Sequence, residues 1–166
     1  VKNNLDVCTG HYHGTAVLSC IAGIYEAEGR SDTLGLATGA EFLLARTEKA
    51  QIEVFSEEEN WLAAVEWSDR NGADIINSSL GYTGNRYFYR DMNGLNTLVS
   101  RAGNLAAKKG ILVVNSAGND GSGDWNFVGA PADADSVLAV GGLLPSSGIH
   151  TAFSSVGPTY DFRQKP

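Results

Sequence analysis

The side chains of this 166-residue chain best suited to chemistry are two histidines near its start and an asparagine in its second half. His11 and His13 flank a tyrosine in GHYHGTAVLSCIAG, and an apolar run with helical spacing follows His13. A histidine at the start of a helix can act as a general base or as a metal ligand. Asn119 follows a run of small residues, and its amide can donate to a developing oxyanion. Its neighbours Asp120 and Gly121 also fit a simple turn.

Apolar runs predict the strands that must position these side chains. The predicted strands are Glu41–Ala45, Ala73–Gly81, Ile111–Asn119 and Ser136–Gly142, with a short fifth strand at His150–Ser155. Helical spacing predicts a helix after His13, in which Cys20 is a small buried side chain. It predicts a second helix behind the Ser56–Glu59 capping box, ended by Gly72, and a third at Leu95–Ala106, ended by Gly110. The polar and aromatic stretch Tyr82–Asp91 is predicted to lie at the surface.

Strands alternate with helices along this chain, and the strands are continuous apolar runs. This combination predicts an α/β fold with a mainly parallel sheet covered by helices on both faces. Ligands in such folds gather at the carboxyl ends of the strands. We therefore expect Ser79–Gly81, Ala117–Asn119 and the helix start at His13 to converge at one rim. No repeat, low-complexity tract or linker divides the sequence, so one domain over residues 1–166 is the simplest count.

Composition excludes several classes of function. The formal net charge of -7, with scattered lysines and arginines, argues against binding to nucleic acid. The sequence has no apolar run of the about 18 residues that a membrane span needs, and VKNNLDVCTG lacks the apolar stretch of a signal peptide. Neither a dinucleotide-binding glycine motif followed by a helix nor a Walker loop is present. A metal-dependent hydrolase using His11 and His13 remains an alternative, although the third ligand of a catalytic zinc site is not evident. A disulfide between Cys8 and Cys20 also stays open.

Five stretches resemble, in order, motifs of the subtilisin-like serine peptidases (subtilases, peptidase family S8). HGTAVLSCIAG resembles the histidine motif, DIINSSLG the substrate-binding strand, and VVNSAGNDG the oxyanion-hole segment. PADADSVLAVGG and FSSVGPTYDFRQKP resemble the stretches that follow. The resemblance runs from His13 to Pro166, and five motifs in the family's order are far more specific than any one of them.

The resemblance implies a role for each matching residue. His13 matches the general base, which takes the proton of the serine nucleophile and returns it to the leaving amine. Asn119 matches the side-chain donor of the oxyanion hole. The positions that match the edge pairing with an extended polypeptide substrate are Ser79, Leu80 and Gly81. The positions that match the wall of the primary specificity pocket are Ala117 and Gly118.

The family's aspartate and serine motifs have no counterpart in these 166 residues. We therefore expect a central fragment of a subtilisin-like serine endopeptidase that hydrolyses peptide bonds by acyl transfer and is inactive by itself. The alternative is a catalytically inactive subtilase-like domain that binds peptides. The expected fold is an incomplete three-layer, doubly wound subtilisin-like domain, with the first strand and the nucleophile helix missing.

The resemblance also implies partners and location. Unpaired strand edges in such a fragment predict self-association or rearrangement. The family resemblance implies secretion or a place in the cell envelope, and it implies calcium as the one metal to consider. The sequence itself shows no cofactor site and no metal-ligand cluster.

Overall fold

The structure, a computed structural model, describes residues 12–49, 54–84 and 86–165. The chain divides into two compact units, Val1–Glu57 and Glu58–Pro166. In chain order the helices and strands are α1 (His13–Ala22), β1 (Ile24–Ala27), β2 (Arg30–Thr33), α2 (Ser56–Arg70), β3 (Ile75–Ser78), α3 (Leu98–Lys108), β4 (Leu112–Ser116) and β5 (Val137–Val140), with a short 3-10 turn at Tyr89–Asp91 before α3.

The first unit contains a helix followed by a hairpin. Helix α1 begins at His13, as the apolar spacing predicts. Strands β1 and β2 form an antiparallel hairpin that sequence analysis did not predict. Its turn, Glu28–Gly29, has φ angles of 50° and 78°, which is typical of tight hairpin turns. The chain then returns to the end of α1, where Ala37 N–H donates to the carbonyl of Ile21 at 2.8 Å.

Two predictions for the first unit are wrong. Residues 41–49 form neither strand nor helix, and Phe42, Leu43 and Leu44 are exposed. A strand needs a neighbour for its backbone hydrogen bonds, and among the described residues of this unit only β1 and β2 pair. Cys20 is exposed, because no residue of α1 is fully buried. Cys8, and with it the proposed disulfide, lies outside the described residues.

The second unit is built around a parallel three-stranded sheet in the order β3-β4-β5. The β3–β4 register runs from Ile75 opposite Leu112 to Ser78 opposite Asn115. Helix α3 lies between β3 and β4 in sequence, as a parallel crossover requires. Each strand falls inside its predicted apolar run, so the α/β class and the parallel sheet are confirmed.

One face of this sheet is buried against helices. On this face lie the buried side chains of Val113, Val137 and Ala139. The same core includes Val99 and Ala102 of α3. Gly103 permits close packing, since a β-carbon there would lie 2.7 Å from the Cγ2 atom of Val137. Four apolar side chains on the opposite face are 46–59% exposed: Ile75, Leu112, Leu138 and Val140.

The segments before α3 contribute unexpectedly to this core. Met92, the single methionine of the 166 residues, is 0% exposed and packs among core side chains.

The prediction of a surface excursion at Tyr82–Asp91 is wrong for part of its length, since Tyr82 is buried. Arg86 and Tyr87 donate to the fully buried carboxylate of Glu58 at 3.1 and 2.7 Å. The polar composition of this stretch does not indicate its burial, because the partner of Arg86 and Tyr87 is Glu58, which is far away in sequence.

The predicted strand at His150–Ser155 is also wrong. Within it, His150 forms only an isolated antiparallel bridge with Leu143. A turn forms instead around Gly142, whose carbonyl accepts the N–H and the Oγ1–H of Thr151 and whose own N–H donates to Ser154 Oγ. This turn brings residues 153–155 against the segment that follows β4.

Candidate functional site

Asn119 lies in a braced turn directly after β4. Ala117 N–H donates to the carbonyl of Val140 at 2.9 Å, which extends the β4–β5 pairing by one step. Gly118 then takes a φ angle of +114°, a conformation that side chains rarely adopt. This reversal turns the chain out of the sheet and leaves Asn119 exposed at its rim.

Ser155 holds this turn in place. Its Oγ accepts the N–H of Asp120 at 3.0 Å, and its own N–H donates to the carbonyl of Gly118 at 2.9 Å. A β-carbon on Gly118 would lie 2.7 Å from the same Oγ atom. Gly118 is therefore required both for its backbone angle and for the close approach of Ser155. No local sequence pattern predicts this role of Ser155, because its partners are more than thirty residues away.

The segment Ser79–Gly81 continues β3 beyond its last paired residue. Trp61 Nε1–H donates to Ser78 Oγ at 3.1 Å and fixes the end of the strand from α2. Leu80 is held from the other side, where Asn115 Nδ2–H donates to its carbonyl at 2.9 Å. After Gly81, Tyr82 pairs with Ala130 in an antiparallel bridge. The segment is thus fixed at both ends and in the middle.

These two segments border one cleft of about 270 Å³ at the carboxyl ends of the strands. The residues that line it are Asn77, Ser78, Ser79, Val114, Asn115, Ser116, Gly118, Asn119, Val140, Gly141, Gly142, Phe153 and Ser154. The structure therefore brings Ser79, Gly118 and Asn119 together, as the rim argument predicts. Ala117 is buried beneath the turn. Sequence analysis missed the contributions of Asn115 and residues 153–154.

The chemistry of this cleft is that of neutral hydrogen-bonding groups. None of the described residues that line it carries a charged side chain. Amide and hydroxyl groups of this kind can orient a peptide and stabilise charge that develops during a reaction. Charged and shifted groups lie elsewhere in the second unit. Burial raises the pKa of the Asp133 carboxyl, which accepts hydrogen bonds from Ser100 Oγ at 2.5 Å and Gly94 N–H at 2.7 Å.

His13 is the first residue of α1 and is exposed. Tyr12 precedes it as the N-cap residue and makes no side-chain capping hydrogen bond. His13 belongs to the first unit and Asn119 to the second. The convergence of His13 with Asn119 stays a prediction. His11, and with it the two-histidine metal hypothesis, lies outside the described residues.

In residues 12–49, 54–84 and 86–165, no group of three or more histidine, cysteine, aspartate or glutamate side chains is placed to hold a metal ion. No cluster of carboxylates in that part of the chain is therefore assigned to the calcium that the resemblance implies, and no step proposed below uses that ion. Over the same ranges, no helix combines the length and apolar character needed to cross a bilayer.

Comparisons with known proteins identify one family for this chain. The profile described as "Subtilase family" matches residues 2–166. Subtilisin DY of Bacillus licheniformis is 33% identical over 150 residues, which are 89% of this chain and 48% of that protein. Subtilisin NAT of Bacillus subtilis subsp. natto is 36% identical over 92% of this chain and 36% of its own length. Minor extracellular protease Epr of Bacillus subtilis is 34% identical over 61% of this chain and 14% of its own length.

Solved structures with a similar fold include one that is a protease by name. The prenylagaramide maturation protease PagA matches with a TM-score of 0.61 and 27% identity, over 92% of this chain and 50% of that one. Sphericase matches with a TM-score of 0.57 and 25% identity, over 74% of this chain and 38% of that one. The chain spans about half or less of the length of these relatives.

The parallel sheet with a neutral, hydrogen-bonding cleft at its carboxyl rim defines an α/β protein of the subtilisin-like class. The profile match over residues 2–166 and the identity of 33–36% to subtilisins make the assignment specific. The chain belongs to the subtilase family.

Proposed function

We propose that the protein carrying this chain is a serine endopeptidase that hydrolyses peptide bonds by acyl transfer. The observation that carries this proposal is the exposed Asn119, held by a braced turn at the rim of a neutral cleft that Ser79 also lines. In the proposed reaction, His13 takes the proton of a serine hydroxyl and returns it to the leaving amine. The Asn119 amide donates to the oxyanion, whose charge exists only in the transition state and the intermediate.

Ser79, Leu80 and Gly81 are proposed to bind the polypeptide substrate as an added strand. Two observations support this assignment: β3 is an edge strand among the described residues, and Leu80 is anchored from the β4 side. Backbone hydrogen bonds to an extended peptide then give affinity with little dependence on sequence. Ala117 and Gly118 are proposed to border the pocket for the side chain before the cleaved bond.

Substitution of two residues tests the catalytic roles in the protein that carries this chain. Asn119→Leu should lower kcat by about 100- to 1000-fold with little change in KM, a magnitude established for subtilisin and not worked out from this structure. His13→Ala should abolish turnover, and a serine-directed covalent reagent should inactivate the unmodified protein. Ser122→Ala, an exposed change in the loop after Asn119, serves as the control. An Asn119→Leu variant with unchanged kcat would overturn the oxyanion assignment.

The 166-residue chain by itself is proposed to bind peptides without hydrolysing them, because its sequence matches the substrate-binding, histidine and asparagine motifs but not the aspartate and serine motifs of the catalytic triad. The alternative is that the parent protein is a non-catalytic peptide-binding subtilase. The two differ in one assay: a catalytic parent reacts with a serine-directed fluorophosphonate and a non-catalytic parent does not. Hydrolysis by the isolated chain would refute the proposed inactivity.

A second copy of this chain is the proposed partner of the isolated fragment. Among the described residues, β3 and β5 each have a strand on one side only, and the sheet also exposes four apolar side chains. Such edges pair readily with other strands. Light scattering over a range of concentrations should detect dimers or larger species, and a monomer at every concentration would overturn this proposal.

Secretion or a cell-envelope location is also proposed, supported by the similarity to a relative named as an extracellular protease. Fractionation of the source cells tests it: the protein should appear in the medium or envelope fraction, and recovery only from the cell interior would contradict it.

A further inference from the structure

The side chain of Asn115 occupies an unusual place for an amide. It is 1% exposed, at the end of a strand whose preceding residues are Leu112, Val113 and Val114. Its Nδ2 group donates to two backbone carbonyls, that of Leu80 at 2.9 Å and that of Ser116 at 2.8 Å. Because both partners are acceptors, the NH2 group must face them, and Oδ1 must point the other way. That oxygen is buried and has no hydrogen-bond partner in the described structure.

An unpaired buried acceptor makes Asn115 a poor choice for stability alone. Leaving a buried oxygen without a donor costs free energy comparable to that of a lost hydrogen bond. An apolar residue of similar volume would continue the pattern of β4 without that cost. Unpaired buried polar groups are expected where a residue contributes to a functional site as well as to the fold. What Asn115 contributes in return is its hydrogen bond to Leu80.

The position of that hydrogen bond connects the two segments of the cleft. Backbone pairing between β3 and β4 ends at Ser78 opposite Asn115. The Asn115 side chain then reaches the middle residue of Ser79–Gly81, past the last backbone pair. Four residues after Asn115, in the turn that follows β4, lies Asn119. The Asn115 side chain thus connects the segment proposed to bind substrate with the strand that leads into the turn of the proposed oxyanion donor.

We propose that Asn115 is a positioning residue for peptide binding, an inference that rests on the proposed function. It turns the Leu80 carbonyl toward β4. In extended backbone, successive carbonyls point to opposite sides, so Ser79 and Gly81 then present theirs to the added peptide strand. It also fixes the distance of this edge from Asn119, which sets the register between the bound peptide and the oxyanion donor.

Asn115→Leu tests this inference with Asn104→Leu as the matched control. Asn104 also donates to a backbone carbonyl, that of Gly94 at 2.9 Å, and its Oδ1 accepts the N–H of Ser136, so both of its polar ends are used. Both variants lose two hydrogen bonds, but Asn115→Leu also removes an unpaired buried oxygen, so the urea midpoint should fall less for Asn115→Leu than for Asn104→Leu. If Asn115→Leu does not fold, Asn115→Ala replaces it.

Kinetics in the protein that carries this chain separate positioning from a general structural role. For Asn115→Leu we expect KM for an extended peptide to rise about tenfold, the equivalent of one hydrogen bond, with kcat little changed. KM for a single-residue ester, which does not pair with Ser79–Gly81, should stay the same. The control variant should change neither KM. A parallel rise in KM for peptide and ester, or no rise for the peptide, would overturn the inference.

A spectroscopic measurement distinguishes failure of this inference from failure of the proposed function. The 13C resonance of the Leu80 carbonyl in the isolated chain should move upfield in Asn115→Leu, as expected for a lost hydrogen bond, and stay in place in Asn104→Leu. An unchanged resonance would show that Asn115 does not hold this segment. Absence of peptide hydrolysis and of peptide binding in the unmodified protein would instead refute the proposed function.

Discussion

Replacement of Gly118 by alanine tests how the turn that carries Asn119 is held. Two separate costs are expected. The φ angle of +114° disfavours any residue with a β-carbon by about 1–2 kcal/mol. The added carbon would also lie 2.7 Å from Ser155 Oγ, and overpacking of this kind costs about 1–3 kcal/mol. Together, Gly118→Ala should lower the free energy of unfolding by about 2–5 kcal/mol.

Gly110 provides the matched control for this change. It has a φ angle of +97°, and no atom lies within 4 Å of a β-carbon built on it. Gly110→Ala should therefore show only the backbone cost of about 1–2 kcal/mol. Urea denaturation followed by tryptophan fluorescence measures both variants, and the difference between them isolates the contact with Ser155.

A double-mutant cycle with Ser155→Ala completes the test. Ser155→Ala removes the Oγ atom that the new methyl group would meet, so Gly118→Ala should cost less in that background and approach the value for Gly110→Ala. Equal costs for the two glycine variants in the unmodified chain would refute the reasoning. So would a cost for Gly118→Ala that does not depend on Ser155.

Two further predictions concern the cluster that anchors residues 82–91. Glu58→Ala removes the fully buried acceptor of Arg86 and Tyr87 and should cost about 3–5 kcal/mol in urea denaturation. Glu66→Ala removes an exposed pair with Arg70 and should cost less than about 1 kcal/mol. Burial, together with the hydrogen bond to Glu58, raises the pKa of the Tyr87 phenol above its usual 10.0. The folded state then keeps a proton that the unfolded chain releases, so stability should fall as the pH rises above 10, and Tyr87→Phe should reduce that fall in thermal denaturation.

Each of these two predictions would be contradicted by one specific result. Equal costs for Glu58→Ala and Glu66→Ala would show that burial of the first ion pair contributes nothing. A fall in stability above pH 10 that is identical with and without the Tyr87 hydroxyl would assign the effect to other groups.

Strong local patterns made much of the second unit predictable. The runs at Ile111–Asn119 and Ser136–Gly142 contain β4 and β5 because continuous apolar residues between glycines suit a buried parallel strand. Helix α3 follows from its 3.6-residue spacing and ends before Gly110, whose φ is positive. Asn119 was placed at the rim of the sheet by its position after a strand, and the structure puts it there.

Features that depend on distant partners could not be predicted in this way. The run at Glu41–Ala45 has the composition of a strand, but no neighbouring strand pairs with it in the described structure. The hairpin β1–β2 has mostly exposed residues, so it lacks an apolar pattern to detect. The supports of the cleft from Asn115 and Ser155 depend on contacts 35 residues apart, which local spacing does not encode.

Met92 makes the interior of the second unit accessible to a simple measurement. Because it is the only methionine in these 166 residues, a 13C-labelled methionine methyl group gives a single resonance from the isolated chain. That methyl group is fully enclosed, and the backbone carbonyl of the same residue accepts the N–H of Tyr160 at 2.9 Å. The chemical shift of this single methyl resonance therefore reports whether the core of the second unit stays packed when residues at the rim of the sheet are substituted, the pH is changed or a peptide is added.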